Sequence, residues 1–554
     1  MKLIYYPVVI FLLITGVRAK AQTEQISTIE INPDEKYQTI TGFGGSLAYY
    51  ENWLTSHPNR VEIYNVIFRE LSLDILRVRN AHGYDEGMIS RVKQFATAAN
   101  QSLGHPIDIL VTSWGPPAYL KSNNATNNGG TLKYSVVNGK VEFDYAGFAR
   151  WWNESLNSYN ANGIYPKYIS IQNEPDYKAS WESCLLRPSE VVTISDTIAG
   201  YNKALNAVYD TVKLRTSPSL FLGPETIGIG YNAVESYINA LDLKKLYGIA
   251  HHLYHGAEGG TTANDPFTSA DYKKVGNFHP GVPHFQTEYS RGNWFQLAGM
   301  IFQSLVQENV TAWMYWDLIW DGGGLVNLHF PWDRNRWTNP RGFNRTKDFY
   351  VFKHYSRFIH PGWKRTATTP DNQYLKTTSF ISTTGDSATF IAINRSATET
   401  FKIRLQIPGY IIKEATTYTT TETTDFDTLS YLADTMLLVP PRSVSTVDLR
   451  LSEITTGAKV QPEHSVIPDL AATIHPNPLS QSAFIRLILK QESNITLEVF
   501  DLSGNCLYIR KAGKFPAGTH HIPFGRNGLD PGTYICRISD GAGKSAQKKY
   551  LIVK

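Results

Sequence analysis

The chain has 554 residues, 42% hydrophobic and 18% charged, which excludes a disordered polymer and is too long for one ordinary domain. Its formal net charge of +4 is spread thinly without basic blocks, so nucleic-acid binding has little support.

In chain order, Lys2, an apolar stretch from Leu3 to Gly16 and the triplet Ala19-Lys20-Ala21 read as a secretory signal over residues 1–21. The apolar stretch is shorter than the roughly 20 residues a spanning helix needs, and no membrane span is expected. Residues 22–39 alternate weakly and read as one or two strands that join a later β-sandwich. From 40 to 363 strands and helices alternate. Strands are predicted at 40–44, 75–79, 107–112, 168–173, 220–223, 248–253, 284–288 and 312–316. Helices are predicted at 88–100, 145–160, 188–209 and 233–241. Eight strands with intervening helices fit an α/β fold, a (β/α)8 TIM barrel enlarged by insertions. An open doubly wound sheet competes less well, because the informative residues sit at many strand ends and not at one switch point. Over 364–451 the helices vanish and threonine-rich alternation predicts a β-sandwich side domain. Residues 452–468 read as a linker and 469–554 as a small C-terminal all-β domain.

The cysteines are three, Cys184, Cys506 and Cys536, too few for a disulfide scaffold. Cys506 and Cys536 could pair or stand as buried thiols. His251 and His252, adjacent on one strand, point to opposite faces and cannot share a cation from one side. No metal and no cofactor is expected.

Two segments carry the chemistry. Ile169-Ser170-Ile171-Gln172-Asn173-Glu174-Pro175 and His284-Phe285-Gln286-Thr287-Glu288-Tyr289 each read as a strand tipped by a glutamate, and Pro175 cannot continue a ladder. In a closed barrel the C-terminal strand ends converge on one cleft, so Glu174 on the fourth strand and Glu288 on the seventh become a carboxylate pair. Such pairs perform glycoside hydrolysis, one protonating the leaving oxygen and the other attacking the anomeric carbon. Asn173 would bond a sugar hydroxyl, and Arg77, set between Leu76 and Val78 in a largely apolar strand, would keep the nucleophile charged. Trp114 would wall the sugar subsite, Tyr254 would donate to Glu288, and Trp316 would floor the subsite. The abundant aromatic residues suit such a cleft, because sugar C–H faces stack on rings.

Here the sequence resembles a known family. Gly42-Phe43-Gly44-Gly45, Ile75-Leu76-Arg77-Val78-Arg79, Thr112-Ser113-Trp114-Gly115-Pro116-Pro117, Gln172-Asn173-Glu174-Pro175 and Gln286-Thr287-Glu288-Tyr289 look like glycoside hydrolase family 30. The resemblance implies a retaining enzyme with Glu174 as acid/base and Glu288 as nucleophile. Ser180-Trp181-Glu182-Ser183-Cys184 and Phe358-Ile359-His360-Pro361-Gly362 look most like its xylan-cleaving branch, which implies a xylan-type polysaccharide partner and β-1,4-xylosidic cleavage. Bacterial glucuronoxylanases of the family carry an arginine just after the eighth strand. Here Trp316-Asp317-Leu318-Ile319-Trp320-Asp321-Gly322-Gly323-Gly324 has acids instead, which would repel a glucuronate; Arg187, Arg291 or Arg334 could substitute. A β-1,6-glucanase or other β-glycosidase of the family, or a silent carbohydrate-binding protein, are the alternatives. The C-terminal segment, with His475-Pro476-Asn477-Pro478, Val499-Phe500-Asp501-Leu502-Ser503-Gly504 and Leu529-Asp530-Pro531-Gly532-Thr533-Tyr534, resembles the sorting domain of type IX secretion. It implies that machinery as a partner and export through the periplasm of a Gram-negative bacterium to the medium or cell surface.

Overall fold

The computed structural model describes residues 26–256, 270–369, 372–431, 436–454, 470–475, 479, 482–501, 504–541 and 543–553. The expected signal, nearly all of the expected linker and Pro476-Asn477-Pro478 lie outside the described residues. Among the described residues no helix is long and apolar enough to cross a membrane.

Eight parallel strands close a barrel: Gly42–Leu47, Ile75–Arg79, Asp108–Thr112, Tyr168–Ser170, Leu220–Thr226, Gly248–His252, His284–Glu288 and Ala312–Tyr315. Each is buried along nearly its whole length, because its inward side chains fill the barrel and its outward ones meet helices. Ile75, Leu110, Tyr168, Leu222, Ala250, Phe285, Ala312 and Met314 pack as the inner layer. The larger second layer lies between barrel and helices. The first strand runs close to its neighbours, where a Cβ at Gly44 would collide with the Ile75 carbonyl oxygen and one at Gly45 with Leu318.

A nine-stranded curled sheet forms the side domain around Ile29, Ile31, Phe390, Ile403, Leu405, Val439 and Leu449. Ile26–Thr39 lies inside it, antiparallel to Lys364–Thr368 and parallel to Phe401–Gln406. The unit beginning at Thr455 is compact in itself. It has a three-stranded and a four-stranded sheet sharing one core that includes Ile485, Leu487, Leu497, Val499, Ile538 and Ile552. Cys506 and Cys536 do not pair: they oppose Phe500 and Val499 on different sides of the strand Ser493–Phe500, and all three thiols are free.

Two predicted elements differ. The helix expected over 188–209 begins only at Tyr201; before it Val191–Val192 and Thr197–Ile198 form a small hairpin. The β-branched run there favours extended backbone, and Thr193 and Asp196 close the turn through Asp196 N–H to Thr193 Oγ1 at 2.9 Å. The fourth barrel strand stops at Ser170, so Glu174 stands beyond its tip.

Candidate active site

Residues 171–174 leave the sheet as the loop after the third strand and the end of the fifth strand supply backbone partners. Asn173 N–H donates to the Ser113 carbonyl at 2.7 Å and Glu174 N–H to the Glu225 carbonyl at 3.0 Å. Glu174 and Glu225 both take left-handed backbone, φ 43° and 59°. For non-glycine residues each such conformation costs on the order of 1 kcal/mol or more, and it persists where surrounding contacts fix it. The turn aims both carboxylates at the barrel axis, where Glu288 arrives directly at the end of the seventh strand.

Arg77, fully buried, joins these groups. Its Nη1 donates to Glu288 Oε2 at 2.6 Å and its Nη2 to Asn173 Oδ1 at 2.7 Å, with Glu225 Oε1 3.2 Å from Nη2. Its guanidinium carbon lies 4.4 Å from the centre of the Trp114 ring. Tyr254 Oη donates to the other Glu288 oxygen at 3.0 Å. Burial first, then the charges of Glu288 and Glu174, hold this phenol well above its ordinary value, so it remains a donor. Trp316 lies 5.4 Å from Trp114, ring centre to ring centre, and 6.0 Å from Tyr49. All seven residues singled out in the sequence therefore gather at one end of the barrel.

Two residues were missed. Glu225 is fully buried at the end of the fifth strand. Burial works against its charge, yet the Arg77 guanidinium and then His252 bring it down to about 2. His252 Nδ1 is 3.0 Å from Glu174 Oε1 and 3.9 Å from Glu288 Oε1, and its Nε2 is 4.0 Å from Glu225. Burial opposes protonation, but the Glu288 charge, followed by Glu174 and Glu225, pushes His252 up to about 9. Glu288 is raised by burial against the pull of His252 and Arg77. Glu225 sits at a strand tip like the other two glutamates, and a strand drawn two residues longer would have exposed it. His251 does diverge from His252 as expected. It faces the helical layer, 2.5 Å from buried Glu308, which also meets His284 at 3.1 Å.

One oxygen each of Glu174 and Glu288 and a ring nitrogen of His252 lie within 4.8 Å of one another. That spacing could hold a cation, whose binding would have to release the proton from His252. The acidic loop after the eighth strand needs correcting. Asp317 is buried, accepting from Ala48 N–H at 3.0 Å and Leu318 N–H at 2.7 Å. Burial raises it well above the carboxylate range, so it presents no charge to the cleft; Asp321 is exposed. Arg291, also exposed, lies 4.8 Å from the Tyr254 ring.

Comparison with known proteins places these features in context. Residues 473–554 match the family described as Secretion system C-terminal sorting domain, which makes this a secreted or cell-surface protein. Over 354 residues the chain is 23% identical to the glucuronoxylanase XynC of Bacillus subtilis, covering 61% of this chain and 71% of that one. The catalytic domain of a family 30 xylanase C from Talaromyces cellulolyticus superposes with a TM-score of 0.60 at 20% identity, over 76% of this chain and all but 1% of that one (99%). An endo-β1,6-glucanase superposes with a TM-score of 0.56 at 16% identity, over 77% and 94%.

Proposed function

We propose that this chain, whose barrel and sandwich have the fold of glycoside hydrolase family 30, is a retaining hydrolase that cleaves β-1,4-xylosidic bonds in xylan or glucuronoxylan. The observation that carries the reading is the approach of Glu174 and Glu288, with carboxylate oxygens within 4.8 Å. Retaining enzymes hold their carboxyl groups about 5–5.5 Å apart, whereas inverting ones leave ~6.5–9.5 Å for a water.

The charges assign the roles. Arg77 and protonated His252 supply two positive charges against three carboxyl groups, Glu174, Glu225 and Glu288. Glu225 is held ionised, and Glu288 has Arg77 and Tyr254 on its two oxygens. Glu174, which meets His252 and not Arg77, then takes the acid/base role. In the first step Glu288 attacks the anomeric carbon while Glu174 protonates the departing glycosidic oxygen. In the second, Glu174 takes a proton from water, which displaces Glu288 from the sugar and restores both groups. Asn173, fixed by Arg77, turns its amide N–H toward a sugar hydroxyl beside the scissile bond. Trp316 and Trp114 offer ring faces to the sugar.

Proton NMR of the first anomer released from xylan tests the mechanism; an inverted first product sinks it. Reducing-sugar release from xylan, glucuronoxylan and β-1,6-glucan tests the substrate. A β-1,6-glucanase is the second reading, favoured by the absence of an arginine from residues 316–324, and cleavage of glucan without xylan would establish it. Silence on all three would leave a carbohydrate-binding protein. The sorting domain supports export through the periplasm of a Gram-negative bacterium by the type IX machinery.

A further inference from the structure

Among the described residues three arginines are buried, Arg77, Arg79 and Arg365. The first two are matched in charge: Arg77 meets Glu288 and Glu225, and Arg79 meets Glu51 at 2.9 Å and Glu182 at 3.0 Å. Arg365, only 6% exposed, has no carboxylate within ion-pair reach among the described residues. Its Nε donates to Gln38 Oε1 at 3.0 Å and its Nη2 to Asn309 Oδ1 at 2.8 Å, both neutral amides. Glu35, whose charge it feels, is exposed and accepts from the Tyr37 hydroxyl instead. Burial pulls the guanidinium down to about 10 from its ordinary 12.5. A cation withdrawn from water without a counter-charge is costly, and Arg365 alone of the three bears that cost.

The guanidinium is held firmly in place. Gln38 Nε2 donates to the Leu305 carbonyl at 2.7 Å and the Val310 carbonyl at 3.2 Å, which turns its oxygen toward Arg365. The Tyr37 ring centre lies 3.8 Å from the guanidinium carbon. Nη1 is left over: it makes no hydrogen bond among the described residues, yet it is not sealed from solvent. Arg365 lines a cavity of about 540 Å³, inside the roughly 300–1,000 Å³ of small-molecule sites. Lys376, Gln307, Asn372 and Thr377 stand on its other walls. Asn309 comes just before the eighth strand, whereas Glu288 ends the seventh, so the cavity lies at the opposite end of the barrel from the carboxylate pair.

We propose that this cavity is a second binding site, for a sugar acid whose carboxylate pairs with Arg365 and whose hydroxyls meet Gln307, Asn372 and Thr377. The planar fork of a guanidinium matches a carboxylate, and Lys376 adds positive charge to the same cavity. Amide and hydroxyl oxygens accept hydrogen bonds that a sugar hydroxyl can give and that phosphate or sulfate anions cannot, which selects a hydroxylated acid over a bare anion. A free hexuronic acid and a uronate branch on a polysaccharide share this chemistry. The site stands apart from the hydrolase reading, since a ligand there is held far from Glu174 and Glu288 and is not cut.

The test is calorimetric titration of the full chain carrying Glu288→Gln, so that nothing is cleaved, with and without Arg365→Gln. The ligands are glucuronate, glucose, inorganic phosphate and a xylo-oligosaccharide bearing one glucuronate branch. Glucuronate is expected to bind at least about tenfold more tightly than glucose or phosphate, and Arg365→Gln to weaken it by about tenfold or more. Tighter binding of the branched oligosaccharide than of glucuronate assigns the site to polysaccharide branches; equal or weaker binding assigns it to the free acid. The proposal is overturned if glucuronate does not bind, if glucose or phosphate binds as well, or if Arg365→Gln leaves its affinity unchanged. Should Arg365→Gln fail to fold, Gln307→Ala decides. Its side chain is exposed, so the thermal midpoint should stay in place while glucuronate affinity falls about threefold or more, and an unchanged affinity overturns the proposal.

Discussion

Glu225→Gln is the sharpest probe of the buried charge network. The substitution keeps shape and volume and removes one negative charge facing Arg77 at 3.2 Å and His252 at 4.0 Å. Folding moves this carboxyl from 4.5 to about 2, with burial opposing and Arg77 the main favourable partner. Each tenfold change in proton affinity is about 1.4 kcal/mol, so the charged group contributes about 3 kcal/mol to the folded state. Because the folded value lies below the unfolded one, that contribution is complete above pH 4.5 and disappears as pH falls through about 2. The parent should therefore exceed the variant by about 3 kcal/mol at neutral pH, with the gap closing through the acid range. Urea unfolding followed by tryptophan fluorescence is the assay. All 12 tryptophans lie before residue 364, so the signal reports the catalytic unit and is silent on the sorting domain. A gap that stays constant from neutral pH to pH 2.5, or no gap at all, refutes the charge assignment.

Glu288→Gln should abolish turnover, and Glu174→Ala should lose far less on an aryl glycoside with a good leaving group than on xylan, since proton donation then matters less; equal losses on both would remove Glu174 from the acid role. His252 titrates at about 9 when folded, against 6.5, so its stabilisation is complete below pH 6.5 and lost as pH rises through 9. The stability gap between the parent and His252→Gln should accordingly shrink by about 3 kcal/mol across that interval in the same unfolding assay. Glu308→Gln, which strips His251 and His284 of their buried partner, should cost about 3 kcal/mol at neutral pH and progressively less in acid, because those histidines hold Glu308 below its usual value. Burial pushes the Cys184 and Cys536 thiols up to about 12, so a thiol reagent should label exposed Cys506 alone in the native protein and all three after unfolding.

What could be read directly from the sequence was local. The barrel strands announce themselves as short apolar runs because both faces are buried, and Glu174 and Glu288 stand out because a charged residue at the end of such a run has no place in the core. Arg77 is legible for the same reason. The features that escaped depend on partners far along the chain. The fourth strand ends early because the backbones of Ser113 and Glu225 capture residues 173 and 174. Glu225 becomes functional through Arg77 and His252, on the second and sixth strands. Asp317 reads as a charge, yet burial raises it far enough to leave it neutral against the pull of Ala48 N–H from the first strand's loop. The hairpin before Tyr201 was hidden differently: its β-branched residues were present, but the flanking helical pattern was extended across them.

The strand Ile26–Thr39 has a consequence for how the enzyme can be handled. It is the earliest described segment, yet its neighbours are Lys364–Thr368 and Phe401–Gln406, from beyond the barrel. Closing a loop of that length is a slow, late event in folding, so the first strand waits for almost the whole catalytic unit to emerge. An expression clone that kept residues 26–363 and dropped the later strands would leave Ile29 and Ile31 without cover and a raw strand edge open to other chains. Swapping this barrel into a new host protein means carrying both ends of the sandwich with it.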